Sequence, residues 1–272
     1  MKITFLGGGN MASALIGGLL KQGFSSSDIR AIELLEAGRE RLQKDFGIQV
    51  LASPDQAALD CDVLVLAVKP QQMREALAPF ASHLQNQLVI SIAAGLRLGD
   101  LSRWLSGHTK LVRAMPNTPA LIGQGVTGLF AEAGVSPEEK DIVDRILGAV
   151  GSSVWVDREE LIDAVTALSG SGPAYVFHFI EVLESAGEEL GLSAETARKL
   201  AIATLVGSSA LAAGSNESPA VLRERVTSKG GTTAAALQSM AQDQFPAMIA
   251  RALRAAANRG KEMGEQLGRN ET

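Results

Sequence analysis

A glycine-rich turn near the N-terminus constrains the fold of this chain more than any other feature. The apolar run from Ile3 to Leu6 predicts a strand, and the residues from Met11 to Lys21 predict a helix, with the letters GGGN between them. Gly7 permits a tight turn, and Gly9 leaves the backbone open to a phosphate group. The start of the helix adds free N–H groups and the positive end of its dipole. The turn therefore predicts a dinucleotide-binding domain, with cofactor contacts from Gly7, Gly9, Asn10 and Met11.

Short apolar runs alternate with helical patterns up to about residue 158. The run from Asp62 to Val68 is nearly continuous valine and leucine, which is typical of a central parallel strand that is covered on both faces. Ser136 as N-cap and Pro137 in the first turn predict a helix that extends to Val150. Because alternating strands and helices form right-handed crossovers, residues 1–158 are predicted to form an α/β domain with a parallel, doubly wound, Rossmann-like sheet.

From Glu159 onward the sequence contains no convincing strand. Helical spacing extends from Tyr175 to Leu190, and Ser193 is predicted to cap a further helix that runs to about Ala213. That second helix is apolar on almost every side, so it must be buried all round, and a partner chain is the simplest cover. Residues 159–272 are therefore predicted to form an all-helical domain that binds substrate and dimerises.

Composition and charge narrow the class of protein. The net charge of −5 argues against a nucleic-acid partner, and no apolar stretch is long enough to span a membrane. The single cysteine, Cys61, precedes an apolar strand, so a small core residue is expected rather than a nucleophile. The histidines share no metal-ligand spacing. We therefore expect a cytoplasmic enzyme that binds no metal ion.

The residue that follows the second predicted strand bears on the choice of cofactor. Glu33 stands where a carboxylate hydrogen-bonds the ribose hydroxyls of NAD and repels a 2′-phosphate, which favours NADH. Arg39 and Arg41 lie a turn or two later and are candidates to bind such a phosphate, or are solvent-facing helix residues. The sequence therefore predicts NADH or NADPH as the cofactor.

A series of motifs resembles the pyrroline-5-carboxylate reductase family, whose members catalyse the last step of proline synthesis. The motifs span nearly the whole chain, and SGSGPAY and TSKGGTT are the most diagnostic. The resemblance implies hydride transfer from NADPH or NADH to C5 of a cyclic imine, and a homodimer able to assemble further. The motifs are GGGNM at 7–11, AVKP at 67–70, SIAAG at 91–95, RAMPNTP at 113–119, DAVT at 163–166, LSGSGPAY at 168–175 and VTSKGGTT at 226–233.

Two of these motifs end predicted strands at the edge of the sheet where ligands bind in open α/β folds. Lys69 is either a solvated loop cation or, as the resemblance implies, a contact of the nicotinamide ribose. Small residues after the next strand leave room for the nicotinamide ring. Asn117, between two prolines, has an amide suited to the carboxamide, although a turn-forming asparagine is an alternative. The predicted cofactor contacts here are Ala67, Val68, Lys69, Pro70, Ala93, Ala94, Gly95 and Asn117.

The segment from Ser228 to Thr233 is the candidate substrate site. Its glycines precede a strong helix former, so its backbone N–H groups can bind an anion, which the resemblance identifies as the substrate carboxylate. The resemblance also places the Thr233 hydroxyl against the ring nitrogen, as the catalytic group; a plain helix N-cap is the alternative. Lys229 departs from the family pattern, in which proline is frequent here. The predicted substrate contacts are Ser228, Gly230, Gly231, Thr232 and Thr233.

Two other classes of protein share part of this sequence pattern. A 3-hydroxyacid dehydrogenase uses a helical lysine as catalytic acid, and the helix from Tyr175 to Gly191 contains no lysine. A non-catalytic nicotinamide sensor would need the glycine-rich turn but not the 228–233 loop. Tyr175 either contacts the substrate or lies in the core.

Overall fold

The computed structural model describes residues 1–54 and 56–269 of the chain. Its strands and helices alternate through the first half, as the sequence predicts, and between residues 156 and 269 the regular elements are all helices. The strands are β1 (Ile3–Leu6), β2 (Ile29–Ile32), β3 (Gln49–Leu51), β4 (Val63–Leu66), β5 (Leu88–Ser91), β6 (Leu111–Met115), β7 (Gly125–Ala131) and β8 (Gly151–Trp155). The helices are α1 (Asn10–Lys21), α2 (Glu36–Phe46), α3 (Met73–Leu77), α4 (Leu98–Trp104), α5 (Pro137–Leu147), α6 (Leu161–Val165), α7 (Gly172–Glu189), α8 (Ala194–Ala213), α9 (Pro219–Arg225), α10 (Thr232–Gln242) and α11 (Phe245–Gly268).

The described strands form one eight-stranded sheet in the order β3-β2-β1-β4-β5-β6-β7-β8. Every neighbouring pair is parallel except β6 and β7, which are antiparallel. The predicted doubly wound α/β fold is therefore confirmed, with one departure from a wholly parallel sheet. The 116–124 connection is too short for a crossover helix, so the chain can only turn back beside β6.

Each central strand is buried on both faces because alternate side chains point to opposite sides of the sheet. In β4, Val63 and Val65 pack in a cluster with α1 and α5, whereas Leu64 and Leu66 pack on the other face with α3 and α4. The all-valine-and-leucine sequence of β4 is thus explained by two apolar layers, one on each side of the sheet.

Two helices illustrate how local sequence sets their bounds. In α5, the Ser136 side chain accepts from the N–H of Glu139, whose carboxylate accepts from the N–H of Ser136, so the predicted N-cap is confirmed as a capping box. The segment from Pro70 to Phe80 does not form one continuous α-helix. It consists of 3₁₀ turns on either side of a five-residue α3, because Pro79 lacks the N–H that an α-helix would use.

The chain divides into two compact units. The first contains residues 1–172 and the end of the chain from Ala255 onward, and the second extends from Pro173 to Arg254. These bounds differ from the domains predicted at 1–158 and 159–272. The predicted domains divide the chain by function, whereas the compact units divide it by packing, so the predicted domains stay a prediction. Helix α11 contributes residues to both units.

The second unit exposes many of its large apolar side chains, as the apolar character of α8 predicts. Leu190 is 87% exposed, and both Val206 and Leu211 are 64% exposed. Of the residues in α8, only Ala197 and Ala201 are buried. A helix with this composition is stable in water only when another surface covers it.

Candidate functional site

Most of the predicted cofactor residues lie along one edge of the sheet in the first unit. Strands β1, β2, β4, β5 and β6 run in the same direction, with Leu6 paired to Ile32 and Leu66, and Leu66 paired to Ser91. The carboxyl ends of these strands therefore meet at a common edge, where open α/β sheets bind ligands. The predicted residues that follow those ends are Gly7, Glu33, Ala67, Ala93 and Asn117.

Gly7 makes the turn at the end of β1 and touches the end of β4. Its φ of +104° lies in the region that favours glycine, and its N–H donates to Ile32 O at 2.9 Å. A Cβ atom at this position would lie 2.8 Å from the carbonyl oxygen of Ala67 and 3.0 Å from Val68 Cγ1. Ala67 and Val68 thus pack against the turn itself, so a larger residue at position 7 would displace both strand ends.

Gly9 leaves the start of α1 open. It is the N-cap residue, no side chain caps the helix, and a Cβ atom there would meet nothing within 4 Å. Asn10 is exposed, and Met11 packs partly on the core beneath. The free N–H groups of this helix start fit a pyrophosphate, so the described residues match the chemistry of a dinucleotide.

Glu33 lies directly beside this turn. Its Oε2 accepts from the N–H of Gly8 at 3.1 Å, and its Oε1 accepts from the N–H of Leu35 at 2.9 Å. Gly8 and Gly38 leave room for it, since a Cβ atom on either would lie within 3.0 Å of the Glu33 side chain. The carboxylate is therefore held in one position by two backbone donors.

The two arginines that the sequence offers as candidates to bind a 2′-phosphate each donate to a backbone carbonyl oxygen. Arg39 donates to the carbonyls of Glu33 and Leu34, at 3.1 and 2.6 Å. Arg41 donates to the carbonyl of Gly8 at 2.6 Å and to Ser13 Oγ at 3.3 Å. Neither guanidinium is simply a solvated group on the outer face of α2.

Beyond β4 and β5, the predicted residues differ in their surroundings. Lys69 is exposed and precedes the 3₁₀ turn that Pro70 begins, whereas Ala93 is buried and Ala94 half-buried. Gly95 has a φ of +81°, and a Cβ atom there would lie 3.4 Å from Met263 Cβ. Gly95 therefore also allows close packing against the end of α11. The sequence did not predict this contact, because the two segments are far apart in the chain.

Asn117 is buried, and both ends of its amide are engaged. Its Oδ1 accepts from the N–H of Val126 at 2.9 Å, and its Nδ2 donates to the carbonyl of Ser169 at 3.2 Å. Of the alternatives that the sequence left open, these contacts favour a structural role over a bond to the nicotinamide carboxamide.

A buried group of charges lies close to this edge and was not predicted as a site. Arg113 in β6 is 2% exposed and donates to Asp163 Oδ1 at 3.0 Å and to Glu159 Oε1 at 3.3 Å. Glu159 also accepts from the N–H of Leu98, at the start of α4. The signal in the sequence is a lone cation inside an otherwise apolar strand, which requires a buried anion as its partner.

The candidate substrate loop lies in the second unit. Gly230 adopts a φ of +71°, and Gly231, rather than either threonine, is the N-cap of α10. No side chain caps this helix, and Ser228, Thr232 and Thr233 are exposed. The hydroxyls of Thr232 and Thr233 therefore do not cap the helix, which was the alternative role that the sequence left open. The N–H groups at the start of α10 remain available to an anion.

The SGSGPAY segment passes from a π-helical stretch, Thr166–Gly170, into α7. Gly170 lies against Met115, since a Cβ atom there would be 2.5 Å from its methyl group. Tyr175 is 39% exposed, so it is not part of a core within this chain.

Burial raises the pKa of the Cys61 thiol, which keeps it protonated and weakly nucleophilic. Within residues 1–54 and 56–269, no group of histidine, cysteine and acidic side chains is arranged to hold a metal ion. None of the helices in the described part of the chain has the length and apolar character needed to cross a bilayer.

The strand order, the glycine turn and the open start of α1 together define a Rossmann-type, dinucleotide-binding protein with a helical second unit. The N-terminal part, residues 2–95, matches a family model described as NADP oxidoreductase, coenzyme F420-dependent. Residues 159–263 match a model described as pyrroline-5-carboxylate reductase dimerisation.

Relatives match over nearly the full length of the chain. The pyrroline-5-carboxylate reductase of Pseudomonas aeruginosa is 46% identical over 98% of both chains, and that of Arabidopsis thaliana is 36% identical over 97% of this chain and 96% of its own. The chain belongs to the pyrroline-5-carboxylate reductase family.

Solved structures agree with this assignment. A pyrroline-5-carboxylate reductase from Coxiella burnetii superimposes with a TM-score of 0.90 at 39% identity, covering 96% of this chain and 98% of its own. The enzyme from Plasmodium falciparum, with NADP bound, gives a TM-score of 0.86 at 32% identity, covering 97% and 98%.

Proposed function

We propose that this protein reduces L-1-pyrroline-5-carboxylate to L-proline with NADH or NADPH, the last step of proline biosynthesis. The observation that carries the proposal is the match of 98% of the chain, at 46% identity, to a reductase of this name. The motifs of both units support it, because the glycine turn suits the dinucleotide and the 228–233 loop suits a small carboxylate.

The residues of the first unit would bind and orient the dinucleotide. The N–H groups at the start of α1 would bind the pyrophosphate, and Gly7 and Gly9 would let the backbone approach it. Ala67, Val68, Lys69 and Pro70 would contact the nicotinamide half. When bound, the reduced nicotinamide supplies the hydride that adds to C5 of the imine.

The residues of the second unit would hold the imine. The N–H groups at the start of α10 bind the carboxylate, and the Thr233 hydroxyl accepts a hydrogen bond from the ring nitrogen. As C5 gains hydride, the electron pair of the C=N bond moves to the nitrogen, which already carries a proton, and a secondary amine results. A protonated imine is already electrophilic, so the chain's task is positioning rather than acid catalysis.

The first experiment follows the oxidation of NADH and of NADPH with pyrroline-5-carboxylate present and absent. Consumption of cofactor that depends on the imine, with proline as the product, is the expected result. Thr233→Ala should lower the rate about ten- to a thousandfold, and Thr233→Ser should retain most of it. A Thr233→Ala protein as fast as wild type removes that residue from the mechanism, and binding of both cofactors without turnover refutes the proposed reaction.

The assembly and location of the protein complete the proposal. We infer that two copies cover each other's exposed helices in the second unit as a homodimer, able to assemble further, since large apolar side chains there are open to water. A reducing cytoplasm suits a chain with a single cysteine.

A further inference from the structure

The residues after β2 select the cofactor. We propose that Glu33 makes this protein prefer NADH to NADPH, by accepting hydrogen bonds from the adenosine ribose and by excluding a 2′-phosphate. This inference rests on the proposed function, because it compares the two cofactors, NADH and NADPH, that are named there.

The position of the Glu33 carboxylate is fixed before any cofactor binds. The N–H groups of Gly8 and Leu35 hold one oxygen each, at 3.1 and 2.9 Å. Each carboxylate oxygen has a second lone pair, so the group can still accept hydrogen bonds from ribose hydroxyls. A preorganised acceptor next to the glycine turn loses little entropy when a ligand arrives.

The cations near Glu33 are engaged elsewhere. The Arg41 guanidinium holds the Gly8 carbonyl at 2.6 Å, and the Arg39 guanidinium holds the Leu34 carbonyl at 2.6 Å. These bonds hold Arg39 through Nη1 and Arg41 through Nη2 at the backbone, and a 2′-phosphate placed here would meet the negative charge of Glu33. Arg41 therefore supports the glycine turn from α2, a role that serves both cofactors equally.

The side chains that follow Glu33 offer no compensating charge. Leu34 and Leu35 are 71% and 72% exposed, so their side chains form an apolar surface next to Glu33. Exposed apolar side chains suit the flat face of an adenine ring and give a phosphate nothing to bind. The sequence Glu33-Leu34-Leu35 thus combines an acceptor for the ribose with an apolar surface.

The test measures equilibrium binding of NADH and of NADPH to the protein without imine, by the change in nicotinamide fluorescence. Wild type should bind NADH at least tenfold more tightly than NADPH. Glu33→Gln should reduce this ratio about ten- to a hundredfold, by weakening NADH and strengthening NADPH. Glu36→Gln removes the same charge from an exposed position in the first turn of α2 and should keep the ratio.

Two further variants keep the inference testable if Glu33→Gln does not fold. Leu34→Arg adds a cation at an exposed position and should strengthen NADPH binding alone. Arg41→Met should weaken both cofactors equally, because it loosens the glycine turn. Three results would each overturn the inference. Wild type could bind NADPH as tightly as NADH or more tightly, or Glu33→Gln and Glu36→Gln could change the binding ratio equally. The third is a loss of affinity in Arg41→Met that is confined to NADPH.

Turnover with the imine, measured in parallel, separates this inference from the proposed function. Imine reduction by a protein that prefers NADPH refutes only the role of Glu33. A preference for NADH without imine reduction refutes only the proposed reaction.

Discussion

The amide nitrogen of Asn117 donates to the carbonyl oxygen of Ser169 across 3.2 Å, joining the loop after β6 to the π-helical stretch that precedes α7. The same side chain accepts from the N–H of Val126 at the start of β7. One buried amide thus joins three segments of the first unit. Asn117→Ala leaves both backbone partners unsatisfied.

We expect Asn117→Ala to lower the free energy of unfolding by about 1–3 kcal/mol, the range for buried polar groups that lose a partner. Urea denaturation measures the change. Asn117→Asp keeps an acceptor for Val126 but loses the donor to Ser169, and it should be destabilised as well. Unchanged stability in Asn117→Ala, with weaker cofactor binding, would restore the carboxamide role that the sequence left open.

The buried charges around Arg113 give a second prediction. Arg113→Met leaves Asp163 and Glu159 without their main cation and should cost about 3–5 kcal/mol. Arg158→Met removes an exposed arginine whose nearest carboxylate oxygen, on Asp157, is 3.9 Å away, and it should cost less than about 1 kcal/mol. Thermal unfolding of both variants tests the difference, and equal costs would show that the buried pairs contribute no more than the exposed one.

The pKa of Glu139 predicts part of the acid sensitivity. Burial disfavours its charged form, but hydrogen bonds from Lys110 Nζ and from the Ser136 N–H outweigh that effect, so its pKa is lowered from the ordinary 4.5. A carboxyl group with a lowered pKa in the folded state stabilises the fold above its unfolded pKa, and that contribution is lost as the pH falls through the folded value.

Glu139→Gln keeps the capping geometry but removes the charge. It should lower stability by about 0.5–1 kcal/mol at neutral pH, since the pair with Lys110 is partly exposed to solvent. The difference from wild type should shrink as the pH falls below the ordinary pKa. Urea unfolding at several pH values measures this, with Asp141→Asn on the exposed side of α5 as control. A difference that stays constant with pH would contradict the assignment.

Two glycines in helices should respond to alanine with opposite signs. Gly18 in α1 is buried, and a Cβ atom there would lie 2.5 Å from the backbone oxygen of Ala149. Gly18→Ala should therefore cost about 1–3 kcal/mol through overpacking. Gly99 in α4 has open space, so Gly99→Ala should stabilise by about 0.5–1 kcal/mol through helix propensity. Melting temperatures that move in the same direction for both would refute this packing argument.

The exposed face of α8 predicts how the assembly can be broken. Val206 is 64% exposed within the chain, and a charge there would be buried in a dimer that covers α8. Val206→Asp should shift the protein toward monomer in light scattering. Val154→Asp, at an exposed position on β8, should leave the dimer intact. A Val206→Asp protein that remains dimeric would place the interface elsewhere.

Local signals in the sequence were sufficient for much of the fold. The turn between β1 and α1, the two-sided burial of β4 and the capping box of α5 each depend on residues close together in the chain, so their patterns predict them. The antiparallel direction of β7 was not predicted, because it depends on the length of a loop rather than on side chains. The short edge strand β3 was missed because three residues carry too little pattern.

Gly7 and Glu33 in the candidate site could be predicted, because the residue type and its position after a strand indicate the same role. The engagement of Arg41 with Gly8, and of Arg113 with Asp163, joins residues that are far apart in the chain. A single sequence contains no information on such partners, beyond the expectation that a buried charge has one.

The return of α11 to the first unit has a consequence for how the protein is made. Gly264 packs against the backbone of Gly95, and Leu267 joins the apolar cluster beneath α4. The ribosome synthesises this stretch after the whole second unit. The dinucleotide-binding unit therefore cannot complete its core until the second unit has been synthesised. Its final packing must wait until the end of α11 has left the exit tunnel.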